Sequence, residues 1–170
     1  MRLGTAGLVI GRESSRELLV AELHEHGPVL LAAARIITLD QAEAEDLVQT
    51  TFEIALRQID TLREPRALRA WLLRIQMREA FRTMRRLRRL VRLDSHVREI
   101  DMTSEDDARH VEMREALSTL PRRIRAAVVL HHLAGLSVRE TAETLDVSEN
   151  TIKSQLKTGL ARLREALRDD

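Results

Sequence analysis

Cysteine is absent from the 170 residues. That removes disulfides, thiol nucleophiles and thiolate zinc sites together. Tyrosine is absent too, and one Trp with two Phe brings aromatics to only 2%, so any core must be aliphatic. Six glycines and three prolines are few. No stretch alternates β-branched with polar residues, and apolar positions recur at helical spacing almost throughout, so the expected fold class is all-α. No apolar run approaches the ~18 residues of a membrane span. The opening MRLGTAGLVIGRESS has too short an apolar core for a signal peptide. Residues 1–13 read as a flexible tail on a cytoplasmic protein without membrane insertion. GTAGLVIG lacks both the GxGxxG spacing and a preceding strand, so it is not a phosphate loop.

Lysine is nearly missing as well: of 28 basic residues only Lys153 and Lys157 are lysines. Arginine's planar fork suits phosphates and guanine edges. Net charge is +1, but it is unevenly placed: +4 over residues 1–92, −5 over 93–112 and +2 over 113–170. The basic extreme is PRALRAWLLRIQMREAFRTMRRLRRLVR, residues 65–92, with ten arginines against one acid, Glu79. Read as one long helix from Pro65, it sets Arg74, Arg78, Arg82 and Arg85 on one face. Leu72, Ile75, Met77, Ala80, Phe81, Met84 and Leu87 give it apolar surface elsewhere. A basic stripe on a helix that also packs is the footprint of phosphate binding. The plainer alternative is a solvated surface helix, but such helices usually mix their signs.

In chain order, Ser14 with Glu17 forms a capping box that starts a helix. His26-Gly27-Pro28 interrupts it before it resumes through Ile37. Asp40 N-caps a helix over residues 41–59. Leu47, Val48, Ile54, Ala55 and Ile59 face a core there, leaving Asp46, Gln49, Thr50 and Glu53 as a polar face. EIDMTSEDD, residues 99–107, holds five acids and no base, which marks an exposed acidic linker. The linker, residues 93–106, divides a helical domain of residues 14–92 from a second of residues 107–170. In the second, helices are expected over 107–119, 121–134 and from the Ser137 cap to Leu145. A turn at Asp146-Val147-Ser148 precedes a last helix to about Leu167.

Short helix, tight turn and longer helix make a helix-turn-helix, with an ordinary helical hairpin as the alternative. Ala142, Leu145, Val147, Ile152 and Leu156 would clamp its helices. Asn150, Thr151, Lys153, Ser154, Lys157 and Thr158 would face a major groove. His24 with His26, and His131 with His132, lack the i, i+4 spacing of a helical metal site. No Ser–His–Asp set is apparent, so neither catalysis, a metal nor a cofactor is expected.

AEAEDLVQTTF (42–52) resembles the acidic DLVQE-type stretch of bacterial extracytoplasmic-function sigma factors, of the sigma-70 family. RAWLLRI (69–75) resembles the family's F-x-x-W-L-x-R-I signature, and residues 120–167 resemble its fourth conserved region. The resemblance implies a promoter-specificity subunit of RNA polymerase. Its partners would be core polymerase, through the β′ coiled coil and the β flap, promoter DNA, and in some members an anti-sigma factor. It carries polymerase binding onto Asp46, Leu47, Gln49 and Phe52. Binding of the minus-ten element falls to Arg63, Arg66, Trp71, Arg74, Arg78, Arg82 and Arg85. Reading of the minus-thirty-five element falls to the 150–158 face already named. Thr50, Arg78 and Gln155 differ from the family's common residues. Two other readings stay open. One is a dimeric helix-turn-helix regulator, which leaves the DLVQ and WLLRI blocks unexplained. The other is an interaction module that keeps the fold without promoter melting.

Overall fold

The computed structural model describes residues 20–62, 64–90 and 108–168, and every regular element among them is helical. The expected cap at Ser14 and the acidic linker lie outside them. Helix α1, residues 20–25, breaks at a turn on His26. Helix α2 (Gly27–Thr38) follows with Pro28 in its first turn, where a missing N–H leaves no bond unmade. Thr38 Oγ1 donates back to the Ala34 carbonyl (3.0 Å), and Leu39 takes a left-handed φ of 63°. Asp40 then accepts from the Glu43 N–H (2.8 Å) and opens α3 (Gln41–Gln58), as expected of an N-cap carboxylate. Two 3-10 turns, Ile59–Thr61 and Pro65–Ala67, lead into α4 (Leu68–Leu90). The basic helix thus begins as a tight turn at Pro65 and becomes α-helical three residues later.

Leu30, Ala33, Ile37, Leu47, Ala55, Ile59, Leu68, Leu72, Leu73 and Met77 form the core of α2–α4. Gln76 is buried among them, its Nε2 donating to the Leu30 carbonyl (2.9 Å). That bond braces α4 against α2, while Gln76 Oε1 is buried with no hydrogen-bond partner, a cost that the neighbouring apolar packing must offset.

The second half comprises α5 (Ala108–Thr119), α6 (Arg122–Val128), α7 (Val138–Leu145) and α8 (Glu149–Ala166). Pro121 stands at the α6 N-cap. The helix runs on into a π-helical turn, Val129–Leu133, closed by the Ala134 N–H donating to the Val129 carbonyl (2.9 Å). Gly135, at φ +70°, ends it in a conformation that favours glycine. Ser137 and Glu140 make a reciprocal capping box at α7: the Glu140 N–H donates to Ser137 Oγ (3.1 Å) and the Ser137 N–H to the Glu140 carboxylate (2.8 Å). Asp146, left-handed at φ 55°, makes the turn, and Ser148 Oγ accepts from the Thr151 N–H (3.1 Å) to start α8. Ala142, Ile152 and Leu156 are buried with Leu145 and Val147 packed against them, as a helix-turn-helix requires.

The halves do not stand apart. Ala126, Val129, Leu130, Ala134 and Leu136 join the cluster built by α2 and α4, while Ala127 and Val128 serve the helix-turn-helix core. Ala126 through Leu130 are all buried. Five successive buried apolar positions cannot all lie on one helix face, so the end of α6 and the turn after it pack into both cores.

Candidate nucleic-acid interface

Three surfaces carry the residues singled out by the sequence. On α4, Arg78, Arg82 and Arg85 are exposed and Arg74 is half-buried, so helical spacing brings the stripe together as expected. Arg82 Nη2 lies 2.9 Å from Glu79 Oε2. Arg74 Nη2 lies 3.3 Å from Glu143 Oε2 on α7, across the boundary between the halves. Arg78, Arg82 and Arg85 line a cleft of about 940 Å³ whose far wall is Glu143, Thr144, Leu145 and Asp146. Trp71 is half-buried against the α2–α4 core, Arg66 is exposed in the 3-10 turn, and Arg63 lies outside the described residues. Cations at helical spacing along one wall can follow a row of phosphates, each with a fork of donors.

On α3, the four residues expected to meet polymerase separate. Leu47 is only 8% exposed and belongs to the core; it holds the helix in place and presents little surface of its own. Gln49 and Phe52 line a shallow depression with Leu31, Val48 and Leu56. Gln49 Nε2 donates to Glu53 Oε1 (3.2 Å), and Phe52 stacks on His24 with centroids 6.0 Å apart. Asp46 is exposed but faces a second depression with Thr50 and Thr83. Leu56, 41% exposed, was not singled out from the sequence. The signal was present: Val48, Phe52 and Leu56 are four apart and form a second apolar row on the helix.

On α8, Asn150, Lys153, Ser154, Lys157 and Thr158 are exposed along one helix. Thr151 is half-buried, its Oγ1 2.9 Å from Ser148 Oγ, so it belongs to the cap. Gly159 is buried where α8 crosses α6; a Cβ there would meet Val128 Cγ2 at 2.6 Å.

Titratable groups mark the joints. Burial, then the nearby Arg69 charge, holds the His26 imidazole below its ordinary value. His132 is lowered by burial and then by His131, whose Nδ1 lies 2.7 Å from the Leu136 carbonyl and ties the π-helical turn to the loop after it. Hydrogen bonds from Ser137 hold the Glu140 carboxyl below its ordinary value. Among the described residues no group of three or more His, Asp or Glu is placed to hold a metal ion.

Residues 23–90 match the family described as Sigma-70 region 2, and residues 110–163 match Sigma-70, region 4. The RNA polymerase sigma-E factor of Streptomyces coelicolor is 32% identical over 140 residues, covering 81% of this chain and 79% of that protein. The ECF RNA polymerase sigma factor SigM of Mycobacterium tuberculosis is 30% identical over 144 residues, covering 84% and 73%. Among solved structures, the sigma factor RpoE in complex with the anti-sigma factor NepR, from Bartonella quintana, superposes with a TM-score of 0.79 at 28% identity. The match covers 88% of this chain and 96% of that one. A helix-turn-helix joined to an arginine-striped helical half is thus the two-region layout of sigma-70 proteins. The chain belongs to the extracytoplasmic-function sigma factors of the sigma-70 family, alternative sigma factors that act in transcription initiation.

Proposed function

We propose that this chain directs core RNA polymerase to promoters carrying paired minus-ten and minus-thirty-five elements, in the cytoplasm and without catalysis of its own. The observation that carries the reading is the presence, in one chain, of the α4 arginine stripe and the exposed α8 face. Each has the chemistry of one promoter element. The α4 cations would hold the phosphates of a single strand while a base leaves the stack, and Trp71 offers an aromatic edge nearby. Lys153, Lys157 and the polar side chains between them would read base edges from a major groove. Gln49, Phe52 and Leu56 on α3, with Asp46 on the adjoining face, would meet the β′ coiled coil, and the second half would meet the β flap. The RpoE relative was solved with an anti-sigma factor, and a protein of that class is proposed as the regulator here.

Among the described residues no helix is long and apolar enough to cross a membrane. The two-region match accounts for the DLVQ and WLLRI blocks that a dimeric regulator left unexplained. The test is transcription in vitro with core polymerase on a genomic library, mapping start sites. Starts sharing two upstream elements at a fixed spacing are expected; starts no different from those of core enzyme alone would refute the reading.

A further inference from the structure

We infer that a cleft between α4, α6 and the α7–α8 turn binds a guanine nucleotide, its phosphates on arginines and its base on Asp146 and Gln155. The site stands on the chemistry of this cleft and does not depend on the promoter reading.

The cleft holds about 420 Å³, inside the roughly 300–1,000 Å³ typical of small-molecule sites. Three guanidinium groups line it from two helices: Arg85 on α4, with Arg122 and Arg123 on α6. Arg85 and Arg123 are exposed, and among the described residues neither has an acid within ion-pair distance. Guanidinium forks match phosphate oxygens two at a time. A nucleic-acid strand spreads its phosphates one per base. Three arginines beside a single apolar wall instead call for several phosphates on one base.

That wall is Phe81, Met84, Leu145 and Val147, with one aromatic ring on which a base can stack. Two acceptors complete the lining. Gln155 Oε1 is buried with no hydrogen-bond partner, a state that costs free energy until a donor meets it. Asp146 lines the same cleft, has no cation within ion-pair distance among the described residues, and as a carboxylate can only accept. A ligand edge placed here must therefore present donors. Guanine's pairing edge carries two side by side, on N1 and N2, whereas adenine's sets one donor beside an acceptor. The Asp146 carboxylate also repels phosphates, so charge alone orients the nucleotide, base towards the turn and phosphates towards the arginines.

Calorimetric titration of the full-length chain with GTP, ATP and inorganic triphosphate tests the site. GTP should bind once per chain, at least tenfold tighter than either of the others, and should raise the melting midpoint. Arg85→Ala with Arg123→Ala should weaken GTP and triphosphate alike, by at least tenfold. Gln155→Leu with Asp146→Asn should lower GTP to the affinity of ATP while triphosphate binds no more weakly than before, which also shows that this variant folds. Asparagine is among the few residues that accept the left-handed φ of position 146. No binding of GTP, or GTP binding that survives both pairs of substitutions, would overturn the inference. Equal affinity for GTP, ATP and triphosphate would overturn it too, leaving a cleft that takes any polyanion. If the chain bound a mixed-sequence single-stranded 20-mer yet showed no preference for GTP over triphosphate, the cleft would belong to the DNA surface instead.

Discussion

Asp46 and Gln49 lie three residues apart on α3, both exposed, yet they border different depressions. Residues three apart are neighbours on a helix, so one partner can touch both across the ridge between the depressions. Asp46→Ala with Gln49→Ala is therefore expected to weaken core-polymerase binding by ~1–3 kcal/mol while leaving helicity unchanged, read by titration beside circular dichroism. His26 gives a pH signature. Its folded-state value is lowered from 6.5 by burial first and Arg69 second, so below 6.5 the unfolded chain binds more protons than the folded one. Stability is then complete above pH 6.5 and falls as pH drops from there through the lowered folded value. The melting temperature should decline on acidification through that window, and His26→Gln should make the decline shallower. At this scale the local features were legible: Asp40, the Ser137–Glu140 pair and Ser148 all cap as their spacing implies. Gln76 was not, because its partner carbonyl on Leu30 is 46 residues away, and no local pattern announces such a pairing.

Helices α4 and α8 each carry function on one side and packing on the other. Neutralising Arg74, Arg78 and Arg82 should lower single-strand affinity and flatten its salt dependence by about 0.7 per lost phosphate contact. Arg82 already pairs with Glu79 at 2.9 Å and Arg74 with Glu143 at 3.3 Å, so Arg78 should carry the largest share of the three. On α8, Gly159→Ala would gain helix propensity of about 1 kcal/mol but drive a methyl to 2.6 Å from Val128 Cγ2. Overpacking costs ~1–3 kcal/mol, and Val128 is buried and β-branched, so a net loss of thermal stability is expected. Adding Val128→Ala should recover part of it. Periodicity placed these helices to within a few residues. It did not show the π-helical turn, since one extra residue in a helical ladder leaves the hydrophobic pattern almost unaltered. The run AAVVL, residues 126–130, held the stronger clue: five successive apolar positions exceed what one core face can use.

Composition suggested two helical domains joined by an acidic segment, and the described residues form two apolar clusters, the first of which also takes in residues of the stretch 126–136 from the second half. The acidic stretch drew attention to division, whereas the joining residues are scattered single positions on α6 and the turn after it. Because Leu130 and Val129 sit in one cluster with Leu30 and Leu72, the free chain should unfold in a single calorimetric transition. Leu130→Ala, at a cost of about 2–5 kcal/mol, should lower that one midpoint without splitting it; two separated transitions in the wild type would contradict the shared core. Apolar burial of this kind weakens on cooling, whereas the Arg74–Glu143 pair is a single half-exposed bridge of small worth. The joint between the halves should therefore answer to temperature more than to salt: chilling is expected to weaken it, as it weakens every apolar contact here, while added salt is expected to leave it nearly unchanged.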